Sequence, residues 1–189
     1  HIDGDAWNNP SEIPGPAGEK QVVAETVRDK LILPYPDLPV SIGPIANDVA
    51  AATEIGARAS GIARELFKLS QVEVASHTHT HPFKWPFFEK YKRDAELAMI
   101  EERNKQSLLP KDAAYRSGSN DMPRAYMEQP FDLRNEIIGA LETSKTLAPP
   151  NKPARLYLWS GDTRPFEGAI KAAREADRLV VAVNDDDSV

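Results

Sequence analysis

The sequence predicts a single-domain α/β fold with a mostly parallel sheet. Short apolar runs typical of buried strands alternate along the chain with longer segments that carry apolar residues at helical spacing. The chain has 189 residues and is 41% hydrophobic, which is enough for one sizeable core over residues 1–189. Strands that alternate with helices pair in parallel and are covered by those helices, so this pattern indicates an α/β architecture.

The predicted strands are residues 39–46, 72–75, 154–159 and 179–183, and the predicted helices are residues 50–69, 87–103, 131–146 and 166–176. The first helix has the clearest period, because Ile55, Ile62 and Leu66 share one face. The third helix begins beside Asp132, whose negative charge stabilises the positive end of the helix dipole. The order of these elements is strand, helix, strand along most of the chain.

Residues 104–130 interrupt this alternation, since they contain Ser, Gly, Asn and Pro without a clear period. Long loops of this kind are often functional. The segment is predicted to be either a surface excursion with Tyr115 and Tyr126 packed back onto the domain, or one wall of a binding groove.

The chain begins with His-Ile-Asp-Gly-Asp, which places two carboxylates close together. In an extended segment Asp3 and Asp5 point to the same face because side chains alternate, and Gly4 leaves room between them for a ligand near the backbone. One acid can then bind a metal while the other handles protons. Taken alone, Asp-Gly-Asp is also typical of turns and of calcium-binding loops.

Three histidines, His77, His79 and His81, directly follow a predicted strand. Four residues span about 13 Å in a strand but about 6 Å in a helical turn, so His77 and His81 can hold one ion only if the chain turns between them. We expect this turn between Ser76 and Thr80, at a strand end where α/β barrels build their active sites. Alternation points His79 away from its neighbours, which disfavours a ligand role. An isolated histidine triplet can equally be a polar edge or an adventitious metal site.

The composition excludes several function classes. A net charge of −6 and a pI near 5.3 argue against a nucleic-acid partner, whose phosphates require a basic face, and favour a cationic or neutral polymer. The absence of cysteine excludes disulfides and thiolate ligands, which leaves histidine and carboxylate as metal ligands. No apolar run approaches the length of about 20 residues that a membrane span needs.

Both motifs and several longer blocks resemble the polysaccharide deacetylase superfamily (NodB-like, carbohydrate esterase family 4). The blocks HIDGD, VEVASHTHTHPFKW, FDLRNEIIGALE, LAPP, LYLWSGDTRP and NDDDSV span nearly the whole chain and look like the deacetylase domains of PelA-type exopolysaccharide proteins. The resemblance implies a deformed (β/α) barrel and an extracytoplasmic location, periplasmic or secreted. Because the chain begins inside the first motif and ends soon after a predicted strand, we expect a piece of a longer protein with other domains, and a barrel truncated at one or both ends.

By position, the resemblance implies a metal site and a base. Asp5, His77 and His81 are the implied ligands of a divalent metal, and zinc is the metal that two imidazoles and one carboxylate suit best. Asp3 is the implied catalytic base. Since both motifs occur together within matching blocks, the metal-site interpretation is preferred over the isolated alternatives.

The catalytic acid is an open question at this stage. Many deacetylases use a late histidine, whereas the only histidine of this chain outside the triplet is His1. Asp162, just past a predicted strand, is one candidate, and a residue beyond Val189 is another.

Predictions about substrate binding depend on side chains near the motifs. Trp85 and Trp159 are predicted to stack on sugar rings, and core packing is the rival explanation for each. Asp187 falls at the aspartate of the family's Asn-Gly-Gly-Asp-Thr motif, although this chain has Asn-Asp-Asp-Asp-Ser there. His79 also departs from the family pattern, since it stands where relatives carry an aromatic residue.

The sequence therefore predicts metal-dependent de-N-acetylation of an amino-sugar exopolysaccharide of the biofilm type, a partially acetylated polymer of N-acetylgalactosamine or N-acetylglucosamine. Two alternatives stay open: a non-catalytic carbohydrate-binding domain of the same fold, and a metal-dependent amidase or esterase that acts on small molecules or xylan. The missing late histidine favours the binding domain. The intact Asp3 favours the enzyme, because binding alone needs no spare base.

Overall fold

The helices and strands of the protein come from a computed structural model, which describes residues 1–50, 52–106, 115–118, 120–176 and 181–184. In chain order the elements are α1 (Val23–Val27), a first π-helical segment (Arg28–Ile32), β1 (Val40–Ile42), α2 (Ala46–Ala50), α3 (Glu54–Phe67), β2 (Val72–Ser76), α4 (Trp85–Glu89), α5 (Arg93–Gln106), a second π-helical segment (Asn135–Gly139), α6 (Ala140–Leu147), β3 (Leu156–Trp159), α7 (Glu167–Glu175) and β4 (Val181–Asn184). Strands and helices alternate over most of this order.

The sheet is parallel, and its strands are neighbours in the order β1, β2, β3, β4. Ile2 adds a parallel bridge to Ile42 on the free side of β1. Because all these segments run in one direction, the residues that follow Ile2, β1, β2 and β3 meet at one edge of the sheet. Sequential parallel neighbours are also the order found in (β/α) barrels, and closure of this sheet into a barrel stays a prediction.

Two hydrophobic cores pack against the strands. The first lies between α1, α3 and the strands β1 and β2, and its large members are Trp7, Ile42, Ile62, Leu66, Phe67, Val72 and Val74. The second lies between α4, α6, α7 and β3, and its large members are Trp85, Ile137, Leu141, Tyr157 and Trp159. A smaller cluster of Ala75, Leu156 and Leu158 packs separately, on the alternate side chains of β2 and β3. Burial on both faces is the usual state of parallel strands.

The first predicted strand, over 39–46, is too long. β1 ends at Ile42, and α2 begins at Ala46. Pro44, between them, lacks the N–H that a further ladder bond would require, and its carbonyl accepts instead from the backbone of His77 at 3.1 Å. This bond ties the end of β1 to the residues after β2.

The predicted single helix over 87–103 is wrong, because α4 and α5 are separate helices. Tyr91 lies in the break, with its ring 5.9 Å from Phe88 and 5.7 Å from Phe131, centroid to centroid. Its hydroxyl donates to Glu96 Oε2 at 2.7 Å. These contacts draw Tyr91 inward and explain why the helix does not continue through it.

Most other predicted elements agree with the structure. The strands β2, β3 and β4 and the helix α7 match their predicted ranges to within two residues at each end, and α3 covers all but the first four and last two residues of 50–69. The predicted helix over 131–146 consists of the second π-helical segment and α6. α1 and α2 were not predicted. Within the described ranges, no helix is both long and apolar enough to cross a lipid bilayer.

Candidate metal centre

The aspartate segment, residues 3–8, leaves the sheet edge in a tight turn directly after the Ile2 bridge. The backbone N–H of Asp5 donates to Asp3 Oδ1 at 3.1 Å, and Ala6 adopts a left-handed φ of 59°. The turn directs the carboxylate of Asp5 toward the histidines that follow β2.

Gly4 marks a close approach of two backbones. A Cβ at this position would lie 2.4 Å from the nitrogen of Ile45 and 2.9 Å from the Cα of Pro44. The space beside Gly4 that the sequence predicted for a ligand is therefore filled by the connection between β1 and α2. Glycine is needed here for packing.

The histidine loop, residues 77–81, has the turn that the sequence predicted. Thr78 and His81 adopt left-handed φ values of 64° and 54°, which are uncommon for residues other than glycine and cost free energy. The turn brings the rings of His77 and His81 to a centroid distance of 5.0 Å. The surrounding structure must therefore hold this loop in place.

Asp5, His77 and His81 form a cluster whose ligand atoms all lie within 4.8 Å of one another. Asp5 Oδ1 is 2.7 Å from His81 Nε2 and 3.5 Å from His77 Nε2. A tetrahedral zinc ion with bonds of about 2.0–2.2 Å holds its ligand atoms about 3.3 Å apart, so only small shifts would admit the ion. The donor set suits a borderline cation and leaves a coordination position open.

The tautomer of His77 is fixed by a backbone group on β3. His77 Nδ1 lies 3.2 Å from the carbonyl oxygen of Leu158, and since a carbonyl can only accept, Nδ1 must carry the proton. In neutral His77 the lone pair is then on Nε2, the nitrogen that faces Asp5. Such a second hydrogen bond is the usual companion of a metal-binding histidine.

The electrostatics of the cluster keep Asp5 ionised. Partial burial raises the pKa of Asp5, but hydrogen bonds and charge interactions with the protonated forms of His77 and His81 lower it more, so its pKa lies far below the usual value. A carboxylate that stays anionic beside two imidazoles is a ready partner for a cation.

An open cleft of about 1020 Å³ lies beside this cluster, and Asp5 and His81 form part of its wall. Its carboxylates are those of Asp5, Asp48, Glu128, Asp132 and Glu136. Arg116 is the only lysine or arginine among the described residues that line it, and it pairs with Glu128 at 2.7 Å. The wall of the cleft is therefore predominantly acidic.

Asp48, on α2, is a candidate that the sequence analysis missed. Its residue surface is 7% exposed, it lines the cleft, and it accepts a hydrogen bond from the hydroxyl of Tyr126. Burial raises the pKa of Asp48 above its usual value, although the Tyr126 hydrogen bond and the charge of His81 oppose this. Its place two residues after the predicted strand over 39–46 was a usable signal, since site residues of α/β folds often follow the carboxyl ends of strands.

The helix α2 joins the aspartate segment to the histidine loop. The backbone N–H groups of its first two residues donate to the carbonyls of Thr78 and His79 at 3.0 and 3.2 Å. On its other side, Asn8 Nδ2 donates to the carbonyl of Asp48 at 3.1 Å. The two halves of the cluster are thus attached to the same short helix.

Asp162, the predicted catalytic acid, is bonded to the start of α4 and to Arg164. Its Oδ1 accepts from the backbone N–H groups of Trp85 and Arg164, each at 3.2 Å, and its Oδ2 pairs with the Arg164 guanidinium at 3.3 Å. It is not among the described residues that line the cleft. Its contacts give it the role of holding the start of α4 against the loop after β3.

Trp85 and Trp159 are core residues, which corrects the prediction that they stack on sugar rings. Trp85 is 0% exposed and Trp159 is 4% exposed. Their rings meet edge to face at a centroid distance of 4.8 Å, and Trp159 also packs against Tyr157. Trp85 Nε1 donates to the carbonyl of Ser160 at 3.0 Å. Neither ring offers a free face to the cleft.

The other predicted residues lie in several places. Asp187 falls outside the described residues. His1 Nδ1 is 2.6 Å from a serine hydroxyl on β1. His79 is half-buried and lines the cleft but is not part of the ligand cluster. Tyr115 packs beside the helix α5, and Tyr126 is in the cleft wall, which agrees in part with the predicted groove.

Comparisons with family models, with curated proteins and with solved structures found no match. Among the residues that the structure describes, Asp5, His77 and His81 form the one cluster of three or more side chains suited to a metal ion. The side chains of the cleft themselves are what indicates its chemistry.

Proposed function

We propose that the protein is a metal-dependent polysaccharide N-deacetylase, a hydrolase that cleaves the acetamide C–N bond of an amino-sugar exopolysaccharide of the biofilm type. The observation that carries this proposal is the convergence of Asp5, His77 and His81 beside a large acidic cleft. The resemblance of the sequence motifs to polysaccharide deacetylases points to the same chemistry.

Asp5, His77 and His81 are the residues that would hold the ion, and zinc suits their donor atoms best. When bound, such an ion supplies Lewis-acid activation of a water molecule and of the acetamide carbonyl. The fixed tautomer of His77 supports this assignment, because its Nε2 is the nitrogen that faces the other two ligands.

Proton transfer falls to the other acids of the site. Asp3, the base that the resemblance implies, is the proposed acceptor of the proton of the attacking water. It is half-buried, its Oδ1 accepts from the backbone N–H of Asp5, and it lies beside the cleft without being among the described residues that line it. The leaving nitrogen must gain a proton, and we assign this step to Asp48 with its partner Tyr126, because both lie in the cleft wall, whereas Asp162 is bonded to Arg164 and to the start of α4. The products are acetate and a free amine.

The shape and charge of the cleft favour a polymer as the substrate. A volume of about 1020 Å³ exceeds that of most pockets for small ligands, which are about 300–1,000 Å³. An acidic wall attracts the cationic amines that deacetylation leaves on the chain. An extracytoplasmic location and other domains of a longer protein belong to this proposal as well.

The direct test is acetate release from oligomers of N-acetylgalactosamine and of N-acetylglucosamine, with and without a chelator. We expect zinc-dependent release that the chelator abolishes and that oligomers support better than the monomeric sugars. Asp29→Asn is a matched control, because Asp29 pairs with Arg28 and is not among the described residues that line the cleft.

Three other outcomes would each reject part of the proposal. Binding of oligomers without acetate release at full zinc occupancy would identify a carbohydrate-binding domain. Equal hydrolysis of monomers and oligomers would identify a small-molecule amidase. Release that persists in chelator would reject the metal.

A further inference from the structure

Glu136, at the base of the cleft wall, is hydrogen-bonded to the histidine loop. It belongs to the second π-helical segment and is 1% exposed. Its Oε1 accepts from the backbone N–H groups of His79 and Thr80, both at 2.8 Å, and its Oε2 accepts from the Thr80 hydroxyl at 2.6 Å. All three donors lie between the two histidines of the metal cluster.

The three hydrogen bonds explain how a carboxylate can be buried here. A buried charge is costly unless it is paired or well hydrogen-bonded, and hydrogen bonds to an ionised acceptor are the strong ones. Arg124 approaches only indirectly: it donates to the Thr80 hydroxyl at 3.3 Å, while it pairs with Glu96 at 2.7 Å. The charge of Glu136 is therefore stabilised mainly by the loop itself.

The loop, in turn, depends on Glu136. Two consecutive backbone N–H groups that converge on one oxygen form an anion-binding nest. The same loop carries left-handed conformations at Thr78 and His81 that cost free energy. Bonds to Glu136 offset that cost in the conformation that brings the histidine rings together. Such strain is kept only where neighbouring groups enforce it.

Glu136 is also fixed at its own backbone. Tyr157, on β3, is fully buried, and its hydroxyl donates to the carbonyl oxygen of Glu136 at 3.0 Å. β3 also supplies the Leu158 carbonyl that orients His77. π-helical turns often occur at functional sites. One strand thus orients one histidine directly and the other through Glu136.

We propose that Glu136 is a positioning residue that sets the separation of the two metal-binding nitrogens of His77 and His81, and through it the affinity for zinc. This inference rests on the proposed metal centre. Glu136 does not bind the ion itself, because its oxygens bond to the loop backbone and to Thr80.

The test measures zinc affinity by calorimetry and ligand geometry by the visible absorption spectrum of the cobalt(II)-loaded protein. E136A should weaken zinc binding by about 10- to 100-fold, the usual effect of removing a group that orients a metal ligand, and should shift the cobalt bands. E136Q should restore most of the affinity and the parent spectrum, since its carbonyl oxygen can still accept from both backbone N–H groups. T80V, which removes one of the three bonds, should have an intermediate affinity.

Ile137→Ala is the matched control, because Ile137 is the next residue of the same π-helical segment and is buried in the core. It should lower the melting temperature and leave the zinc affinity and cobalt spectrum unchanged. An E136A affinity within twofold of the parent would overturn the proposal. If E136A does not fold, a T80V affinity and spectrum equal to the parent's overturns it. A parent protein that binds no zinc rejects the proposed function itself.

Discussion

The aspartate segment and the histidine loop supply the two halves of one metal centre, and they are built differently. The side chains of His77 and His81 are 2% and 6% exposed, whereas that of Asp5 is 55% exposed. The loop is held by buried bonds to Glu136 and to β3. The aspartate segment is anchored after Asp5 by the buried ring of Trp7 and by Asn8, but the backbone bond from Asp5 to Asp3 is exposed. The centre therefore has a rigid, preformed half and an accessible half that completes it.

This difference means that the histidine loop sets the geometry of the metal centre, whereas the aspartate segment supplies the groups for proton transfer. Buried imidazoles with fixed hydrogen bonds define where an ion sits, because their rings cannot move without disturbing the core. Asp5 is exposed and lines the cleft, where water and substrate would arrive, and the proposed base Asp3 is bonded to it. We therefore expect substitutions in the two halves to impair different properties of the protein, such as zinc affinity or turnover.

The largest effect is expected at Asp3. Asp3→Asn keeps the shape of the turn and removes the base, so turnover should fall by about 10²- to 10⁴-fold while zinc affinity stays near the parent value. The measurement is kcat for acetate release beside zinc affinity by calorimetry. Loss of zinc binding equal to that of Asp5→Asn would show that Asp3 is a ligand and not a base.

Trp159→Ala tests the core that supports the loop after β3. Removing a buried aromatic side chain should lower the free energy of unfolding by about 3–5 kcal/mol, as measured by urea denaturation. The folded variant should keep the parent ratio of Michaelis constants for oligomer and monomer. A stable variant with selectively weakened oligomer binding would restore the sugar-stacking role that the buried position of Trp159 argues against.

His81→Ala and Asp5→Asn compare the two halves directly through zinc affinity. A ligand of a protein zinc site contributes about 3 kcal/mol on average, so His81→Ala should weaken binding by about 100-fold or more. Asp5→Asn should cost less, because an amide oxygen remains and the side chain is accessible to water that can take its place. Equal losses in the two variants would mean that the exposed half is as rigidly organised as the buried half.

The smallest effect on stability is expected at Asp48, which lies on α2 between the two halves. Because its pKa is raised in the folded state, folding favours its protonated form, so the associated stability is present at acid pH and is lost as pH rises through that pKa. Asp48→Asn should therefore raise the melting temperature at pH 7 by a few degrees and change it little near pH 3, while it lowers acetate release. A lower melting temperature at pH 7 would contradict this.

Local patterns in the sequence were enough to predict most of the strands, several helices and the ligand motifs, but contacts between distant residues were not predictable. The turn at residues 77–81 was foreseen because His77 and His81 must approach each other to share an ion. The break at Tyr91 depends on Phe131, forty positions away, and so leaves no mark on the helical period. Both tryptophans were placed by their nearness to the motifs, which says nothing about burial.

Glu136 shows the same limit within the site. A glutamate inside a predicted helix is ordinarily a solvent-facing residue, and only the packing of the second π-helical segment against the loop turns it inward. Asp48 follows the predicted strand over 39–46 by two residues, but its place beside the cluster depends on the bonds of α2 to the histidine loop, about thirty positions away. Contacts between distant residues thus decided both omissions.

The parallel bridge from Ile2 to β1 brings the start of the described chain beside the sheet, so an ion at the metal centre would link two parts of the chain that are far apart in sequence. Asp5 follows that bridge, and His77 lies about 70 residues further along the chain, so a shared ion would act as a removable cross-link that closes a long loop. Cross-links of this span stabilise a fold chiefly by restricting the unfolded chain. In such a protein the aspartate segment would be tied to the histidine loop when the ion is bound and would lose this tie when the ion is chelated, which couples the stability of the fold to metal supply.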